Sequence, residues 1–227
     1  MNTADGAAAP ALPLLARETL SFAYMRAAAT FLPAVPLDIE GCGRKVIVLP
    51  GFMASDQTTA RFRRSLDAAG FESHGWGLGR NRGVRADIFD RLDARLDALS
   101  LDEPAVLVGW SLGGLIAREY AKRSPERVAR VVTLGSPFSG DPRANNAWRL
   151  YEFIAGYKVD APPVDITLGE KPPVDTHAFW SSRDGVVAPA SARGLPHESD
   201  RQTQLDCTHM AFIAGPEAIR AVAAALC

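Results

Sequence analysis

The chain has 227 residues, of which 47% are hydrophobic, and its formal net charge is −1 at pH 7. This length suits one α/β domain with a well-filled core, and the near-zero charge lacks the basic surface that nucleic-acid phosphates require. Nucleic acid is therefore excluded as an expected partner. The three cysteines, Cys42, Cys207 and Cys227, are scattered and indicate neither a disulfide framework nor a zinc site. We expect reduced thiols in a cytoplasmic protein.

The first predicted element is a helix within residues 14–32, in an N-terminal helical extension covering residues 1–40. Five apolar residues share one face of this helix: Leu20, Tyr24, Ala27, Ala28 and Phe31. We expect that face to be buried against the core, and a contact with a membrane surface or with a second subunit is the open alternative. Charged residues at positions 17, 18 and 26 interrupt the segment, so it indicates neither a signal peptide nor a membrane span.

From Gly41 onward, strand-like and helix-like segments alternate. The predicted strands cover residues 45–49, 71–76, 105–108, 128–134, 176–180 and 203–207. The predicted helices cover residues 58–69, 87–99, 112–122 and 217–226. This alternation predicts one α/β domain over residues 41–227, with a mostly parallel sheet of about six strands and helices on both faces. Residues that follow the strands should converge at the carboxyl edge of the sheet.

One junction between a strand and a helix carries the pentapeptide Gly109-Trp110-Ser111-Leu112-Gly113. A strand that passes directly into a helix makes a sharp turn, and the serine at its apex adopts a strained backbone conformation that exposes its hydroxyl. A side chain at Gly109 or Gly113 would clash with the neighbouring strand or helix. Ser111 is therefore the predicted nucleophile, and the alternative is a tight turn with an idle serine.

A serine nucleophile needs a base, and histidine has a suitable pKa. His209 is the best placed of the four histidines, because it follows the last predicted strand. His177 falls within a strand, His197 lies in a proline-rich connection, and His74 lies near the end of an earlier strand. His209 is the predicted base, and a surface histidine in a loop is the alternative.

The base needs a carboxylate to orient its ring. Asp184 follows a predicted strand and precedes His209 along the chain, which makes it the predicted acid. Asp-Gly is also a common turn dipeptide, so Asp184 could simply shape its loop. Asp165 and Asp206 are weaker candidates for the same role.

Backbone amides are expected to hold the negative charge that develops on the substrate oxygen. Leu112, next to the nucleophile, supplies one amide, and Phe52, in the loop after the first predicted strand, supplies the second. Met53 is the reserve for the second donor. An ordinary Pro-Gly turn is the alternative explanation of that loop.

With these motifs, residues 44–227 resemble the α/β-hydrolase superfamily, in particular compact bacterial proteins of the lipase and esterase type. The resemblance rests on Val-Ile-Val-Leu-Pro-Gly-Phe at residues 46–52, Gly-Trp-Ser-Leu-Gly-Gly at 109–114, Thr-Leu-Gly-Ser-Pro at 133–137, Arg-Asp-Gly-Val-Val at 183–187, and His209. Many lipases carry His-Gly where this chain has Pro50-Gly51, which leaves the shape of that loop less defined than its position. The run of residues 75–81 looks similar to the family too, without an assigned role.

An aromatic-rich insertion at about residues 138–174 predicts a small cap, with a helix around Trp148. Such a cap excludes water and selects the substrate, so its aromatic residues indicate an apolar substrate portion. The predicted substrate-binding residues are Met53, Trp110 and Trp148. The alternative is a helix that only packs on the body of the domain.

The resemblance implies a serine hydrolase that cleaves small carboxylic esters through an acyl-enzyme, without a metal or another cofactor. Acyl transfer or thioester hydrolysis by the same three residues stays open, because the acceptor pocket decides which nucleophile resolves the acyl-enzyme. A binding domain that has kept the fold without catalysis is the alternative from another class. The sequence leaves the oligomeric state open.

Overall fold

The computed structural model describes residues 8–227. The first seven residues of the predicted N-terminal extension lie outside the described residues. The division into an extension, a hydrolase domain and a cap at about residues 138–174 stays a prediction.

Six strands form one entirely parallel sheet in the order β2-β1-β3-β4-β5-β6. Their bounds are β1 Lys45–Leu49, β2 Glu72–Gly75, β3 Ala105–Trp110, β4 Val128–Leu134, β5 Asp175–Trp180 and β6 Arg201–Gln204. The chain starts at β1, adds β2 on one side and then returns to place β3 on the other. The carboxyl ends of β1 and β3 therefore lie beside a topological switch point, where ligands bind in sheets of this kind.

Eight α-helices are present in the described part of the chain. They are α1 Leu12–Phe31, α2 Ala60–Ala68, α3 Ile88–Ala98, α4 Leu112–Arg123, α5 Trp148–Ala155, α6 Pro189–Arg193, α7 Ala211–Ala214 and α8 Pro216–Ala224. The predicted α/β fold with a parallel sheet of six strands is confirmed. The short helices α6 and α7 were not predicted, because four or five residues are too few to show helical periodicity.

The last strand lies earlier in the chain than predicted. Residues 203–207 were expected to form it, whereas β6 runs from Arg201 to Gln204. Its position follows from its pairing with β5, in which His177 lies opposite Arg201 and Trp180 lies opposite Gln204. Register with a neighbouring strand is a tertiary property that composition alone does not show.

The two faces of the sheet carry separate apolar layers, because side chains alternate along each strand. On β1, Val46 and Val48 face the layer built with α1, α2, α7 and α8, whereas Ile47 and Leu49 face the layer built with α3 and α4. All four side chains are fully buried. The core thus holds the strands rigidly, and with them the loops at their carboxyl ends.

The face of α1 that packs on the domain differs from the predicted one. Leu20 and Phe31 are 79% and 81% exposed, whereas the buried positions are Glu18, Met25, Ala28 and Ala29. Apolar residues occur nearly all round this helix, so their spacing does not single out a face. The small alanines let α2 approach, and Arg64 of α2 donates to the carbonyl of Ala29 at 3.0 Å.

No helix within residues 8–227 is both long and apolar enough to cross a bilayer. The cytoplasmic location stays a prediction, as does a contact of α1 with a membrane surface.

Candidate active site

Ser111 forms the turn between β3 and α4 with φ +55° and ψ −124°, a conformation that costs about 1–3 kcal/mol in a residue other than glycine. Its amide donates to the carbonyl of Leu134, at the end of β4, at 2.8 Å. A Cβ at Gly109 would overlap the backbone of Gly113 and Gly114. The turn has the geometry that the pentapeptide predicts, with Ser111 at its apex.

Asp184 and His209 form a buried pair. Asp184 lies in the loop after β5 and His209 lies between β6 and α7, and the two residues are 1% and 2% exposed. Nδ1 of His209 donates to Oδ2 of Asp184 at 2.7 Å. Oδ1 of Asp184 accepts the amides of Val186 and Val187, both at 2.8 Å. These bonds fix the carboxylate, and the carboxylate fixes the ring with Nε2 turned away from Asp184.

The environment of His209 favours the protonated ring. Burial by itself lowers the pKa of His209, but the charge of Asp184, the hydrogen bond to Asp184 and the charge of Glu18 together outweigh burial. The pKa of His209 therefore lies above its ordinary value of 6.5. A ring of this kind is a stronger base and stabilises the imidazolium that proton transfer creates.

The other three histidines lie elsewhere. His74 contacts Glu72 at 2.9 Å, and His197 is exposed. His177 lies in β5, where its ring stacks on Phe179 and its Nε2 lies 2.7 Å from the hydroxyl of Thr203. Burial and the nearby arginines lower the pKa of His177 to about 4. None of the three is bonded to an aspartate in the described part of the chain.

The alternative acids, Asp206 and Asp165, make no hydrogen bond to the ring of His209 within the described residues. Asp206 forms a salt bridge with Arg183 at 2.8 Å, on the exposed side of the loops. Asp165 lies in the 138–174 segment and makes no hydrogen bond to His209 within residues 8–227. Of the three candidate acids, Asp184 is the one that the structure brings to the ring.

The end of β4 lies between Ser111 and the Asp184–His209 pair. Leu134 binds the amide of Ser111, and a Cβ at the next residue, Gly135, would lie 2.9 Å from Oδ2 of Asp184 and 3.1 Å from Nδ1 of His209. Within residues 8–227 the hydroxyl of Ser111 makes no hydrogen bond to the ring. Catalytic hydrogen bonds are often long in the free state and tighten with substrate bound.

The loop after β1 approaches Ser111 from the other side. A Cβ at Gly51 would lie 3.1 Å from Cβ of Ser111. The amide of Met53 donates to the carbonyl of Asn81 at 2.7 Å, so Met53 is already engaged. The amides of Phe52 and Leu112, the two predicted oxyanion donors, have no acceptor among the described residues, and their role stays a prediction.

Asn81 holds this loop and was missed as a functional residue. The side chain is buried and donates to the carbonyl of Pro50 at 2.8 Å, while its own amide donates to the carbonyl of Ala54 at 2.8 Å. Asn81 thus makes hydrogen bonds to Pro50, Met53 and Ala54, and it leaves the amide of Phe52 without an acceptor. The sequence signal was the run of residues 75–81, whose role could not be derived from the pattern.

Ser111 lines a cavity of about 240 Å³. Its walls are mostly apolar and come from both the body and the 138–174 segment, including Phe52, Leu115, Trp148, Tyr151, Val186 and Val187. Trp148 therefore lies in the cavity wall, and its contact with a substrate stays a prediction. Trp110 and Met53 are not among the lining residues of this cavity, and the indole of Trp110 is buried and donates to the carbonyl of His209 at 3.0 Å.

A family model for the alpha/beta hydrolase fold matches residues 49–160. The pimeloyl-[acyl-carrier protein] methyl ester esterase of Shewanella woodyi is 30% identical over 111 residues, which is 48% of this chain and 42% of that protein. The enzyme of the same name from Aromatoleum aromaticum is 47% identical over 58 residues, or 25% of this chain and 23% of that protein. In both cases the match spans less than half of the relative's own length.

Solved structures of the same fold cover more of the chain at lower identity. A monoacylglycerol lipase of Paleococcus ferrophilus has a TM-score of 0.60 at 17% identity, covering 84% of this chain and 96% of that one. A carboxylesterase of Bacillus subtilis has a TM-score of 0.58 at 13% identity, covering 94% and 98%. The parallel sheet, the strained turn at its edge and these matches show that the chain has the α/β-hydrolase fold.

Proposed function

We propose that the protein hydrolyses carboxylic esters through an acyl-enzyme on Ser111. The observation that carries the proposal is the buried hydrogen bond between Asp184 and His209. This pair lies against Gly135, the residue after Leu134, and the carbonyl of Leu134 accepts the amide of Ser111. His209 removes the hydroxyl proton as Ser111 Oγ attacks the ester carbonyl, and it returns that proton to the departing alcohol. A water molecule then gives a proton to His209 and attacks the acyl-enzyme. His209 returns that proton to Ser111 Oγ as the acyl–oxygen bond breaks, which releases the acid and restores both residues.

The amides of Phe52 and Leu112 are the proposed donors to the oxyanion. Both are free of other acceptors in the described chain, and Leu112 opens α4, so the positive end of the helix dipole adds to its effect. Because the carbonyl of Asn81 accepts the amide of Met53, the residue after Phe52, Met53 is not available as the second donor. Preorganised donors of this kind stabilise charge that appears only in the transition state.

The cavity supports a small ester with an apolar acyl portion. Its volume of about 240 Å³ lies below the roughly 300–1,000 Å³ of sites for drug-sized ligands, and its walls are largely aliphatic and aromatic. The names of the relatives and of the structural neighbours, methyl ester esterases and carboxylesterases, refer to the same reaction class. This agreement adds support for ester substrates and leaves the alcohol undefined.

The proposal is tested by labelling with a fluorophosphonate probe, which reacts with activated serines. We expect the purified protein to be labelled and the Ser111→Ala variant to stay unlabelled. Ser182→Ala, which removes an exposed hydroxyl from the loop that carries Asp184, is the matched control and should be labelled like the parent. A folded parent protein that is not labelled, or a labelled Ser111→Ala variant, would overturn the proposal.

A further inference from the structure

The helix α1 buries one charged side chain, Glu18, which is 4% exposed. A buried carboxylate is costly unless hydrogen bonds replace its water shell. Glu18 has three such bonds, all from backbone amides. Oε1 accepts from Gly185 at 2.9 Å and from His209 at 2.7 Å, and Oε2 accepts from Met210 at 3.2 Å. An ionised carboxylate is an acceptor only, which matches three surrounding donors.

These three amides belong to the two loops that carry the acid and the base. Gly185 directly follows Asp184, and the other two donors are His209 itself and the residue after it. One carboxylate therefore ties the acid loop to the base loop, through hydrogen bonds that are stronger than neutral ones because the acceptor is charged. The three amides are all donors and cannot bond to one another, so a shared acceptor is what joins them.

Neighbouring contacts reinforce this arrangement. Asp184 accepts the amides of Val186 and Val187, so three successive amides of the acid loop bind carboxylates. The backbone of α1 also packs directly on this loop, since a Cβ at Gly185 would overlap the carbonyl of Leu14. On the base loop, the hydroxyl of Thr208 donates to Ser21 of α1 at 2.9 Å.

Glu18 also contributes charge to the site. The ionisable groups that act on the ring of His209 are Asp184 from the acid loop and Glu18 from α1. The thiol of Cys207, two residues before His209, is half-buried, and the charges of the same two carboxylates act on it. Arg183 and Asp206 neutralise each other on the exposed side of the loops.

We propose that Glu18 is a positioning residue for the Asp184–His209 pair, which fixes both loops against α1 and places a second negative charge beside the imidazole. The inference rests on the function proposed above, because it assigns the pair a role in catalysis. It makes the N-terminal helix part of the catalytic apparatus without contact with the substrate. The two contributions, position and charge, are separable by substitution.

Glu18→Gln removes the charge and keeps an oxygen that accepts the amides of Gly185 and His209. Its nitrogen replaces the acceptor of Met210 with a donor. Glu18→Asp keeps the charge but is one methylene shorter, so it cannot reach the same amides.

We expect the pKa of the His209 imidazole, followed by NMR, to fall in Glu18→Gln and to stay close to the parent value in Glu18→Asp. We expect kcat to fall about 10- to 100-fold in both, with KM changed less than about twofold.

Glu217→Gln, which removes an exposed charge from α8, is the matched control and should change neither kcat nor the pKa of His209. If kcat and the pKa of His209 in Glu18→Gln both equal the parent values, the inference is overturned. So would a loss of kcat at an unchanged pKa of His209 in both variants together with a lower unfolding temperature, since that result indicates a purely structural role. If Glu18→Gln does not fold, Glu18→Asp decides, because a parent kcat in that variant contradicts the inference.

The imidazole pKa is measured without substrate. A failure of the proposed function, seen as an unlabelled parent protein in the fluorophosphonate assay, is therefore distinguishable from a failure of Glu18 to act on His209.

Discussion

Gly135 lies so close to Asp184 that a methyl group on its α-carbon would come within 2.9 Å of Oδ2. The same methyl group would lie 2.8 Å from the ring of Phe212. Gly135 itself has φ +54°, a conformation that favours glycine. The absence of a side chain at the end of β4 is therefore what leaves room for the hydrogen bond between Asp184 and His209.

Gly135→Ala should damage the site more than the fold. The new methyl group must displace Asp184 or the ring of His209, and misplacement by about 1 Å costs on the order of 100-fold in kcat. Gly156→Ala is the control, because it imposes similar backbone strain at φ +81° in open space. Steady-state kinetics and thermal unfolding of both variants test this. Equal effects on kcat would show that strain, and not proximity to Asp184, matters.

Much of this arrangement could be predicted from the sequence, because the signals are local. The alternation of strands and helices defines the sheet, the glycines around Ser111 define the turn, and position after a strand selects Asp184 and His209. The order of serine, acid and histidine along the chain then favours His209 over His74, which precedes Ser111. Each inference uses residues adjacent in sequence together with one general rule about strand ends.

The parts that could not be predicted depend on contacts between distant segments. Glu18 binds the loops of Asp184 and His209 from the other end of the chain. In the sequence, this acidic residue only interrupts an apolar segment, and nothing near it indicates its partners. The buried face of α1 was therefore predicted wrongly. Asn81 holds Pro50 in the same way. Neither contact produces a periodic pattern.

The activity should depend on pH through His209. A base must be neutral to accept a proton, and the pKa of His209 lies above 6.5, so kcat/KM should rise with pH and reach half its maximum above pH 6.5. A pH profile with a neutral ester measures this midpoint. A midpoint at or below pH 6.5 would contradict the assignment of the base or of its carboxylate partner.

The same group should contribute to stability in the opposite sense. Because the pKa of His209 is raised in the folded state, its contribution is fully present below pH 6.5 and is lost as pH rises through the folded-state pKa. Urea unfolding at several pH values should show this loss in the parent protein and its absence in His209→Gln. A parent-like pH dependence in His209→Gln would assign the effect to other groups.

Asn81→Ala should impair the oxyanion loop. The substitution leaves the buried carbonyl of Pro50 without its donor and frees the loop to move Phe52. Loss of one oxyanion donor costs about 100- to 1,000-fold in kcat, and a misplaced donor should cost part of that, about 10-fold or more. Arg82→Ala, at an exposed position in the same connection, is the control. A parent kcat in Asn81→Ala would remove Phe52 from the proposed oxyanion site.

Trp148→Ala should lengthen the acyl pocket. The indole lines the cavity, whereas Phe153 on the same helix is 85% exposed, so Phe153→Ala is a matched control. With p-nitrophenyl esters of increasing chain length, we expect Trp148→Ala to prefer a longer acyl chain than the parent does. The ratio of kcat/KM for long over short esters should rise about 10-fold relative to the parent. An unchanged preference would place the acyl chain outside this cavity.

The central claim is that Ser111 carries the acyl group during turnover. Rapid quenching of the parent protein with a p-nitrophenyl ester, followed by mass spectrometry of the intact chain and its peptides, tests it most directly. The account predicts a mass increase of one acyl group on the peptide that contains Ser111, and no adduct and no turnover in Ser111→Ala. Turnover that persists in Ser111→Ala, or an acyl group found on another residue, would contradict it.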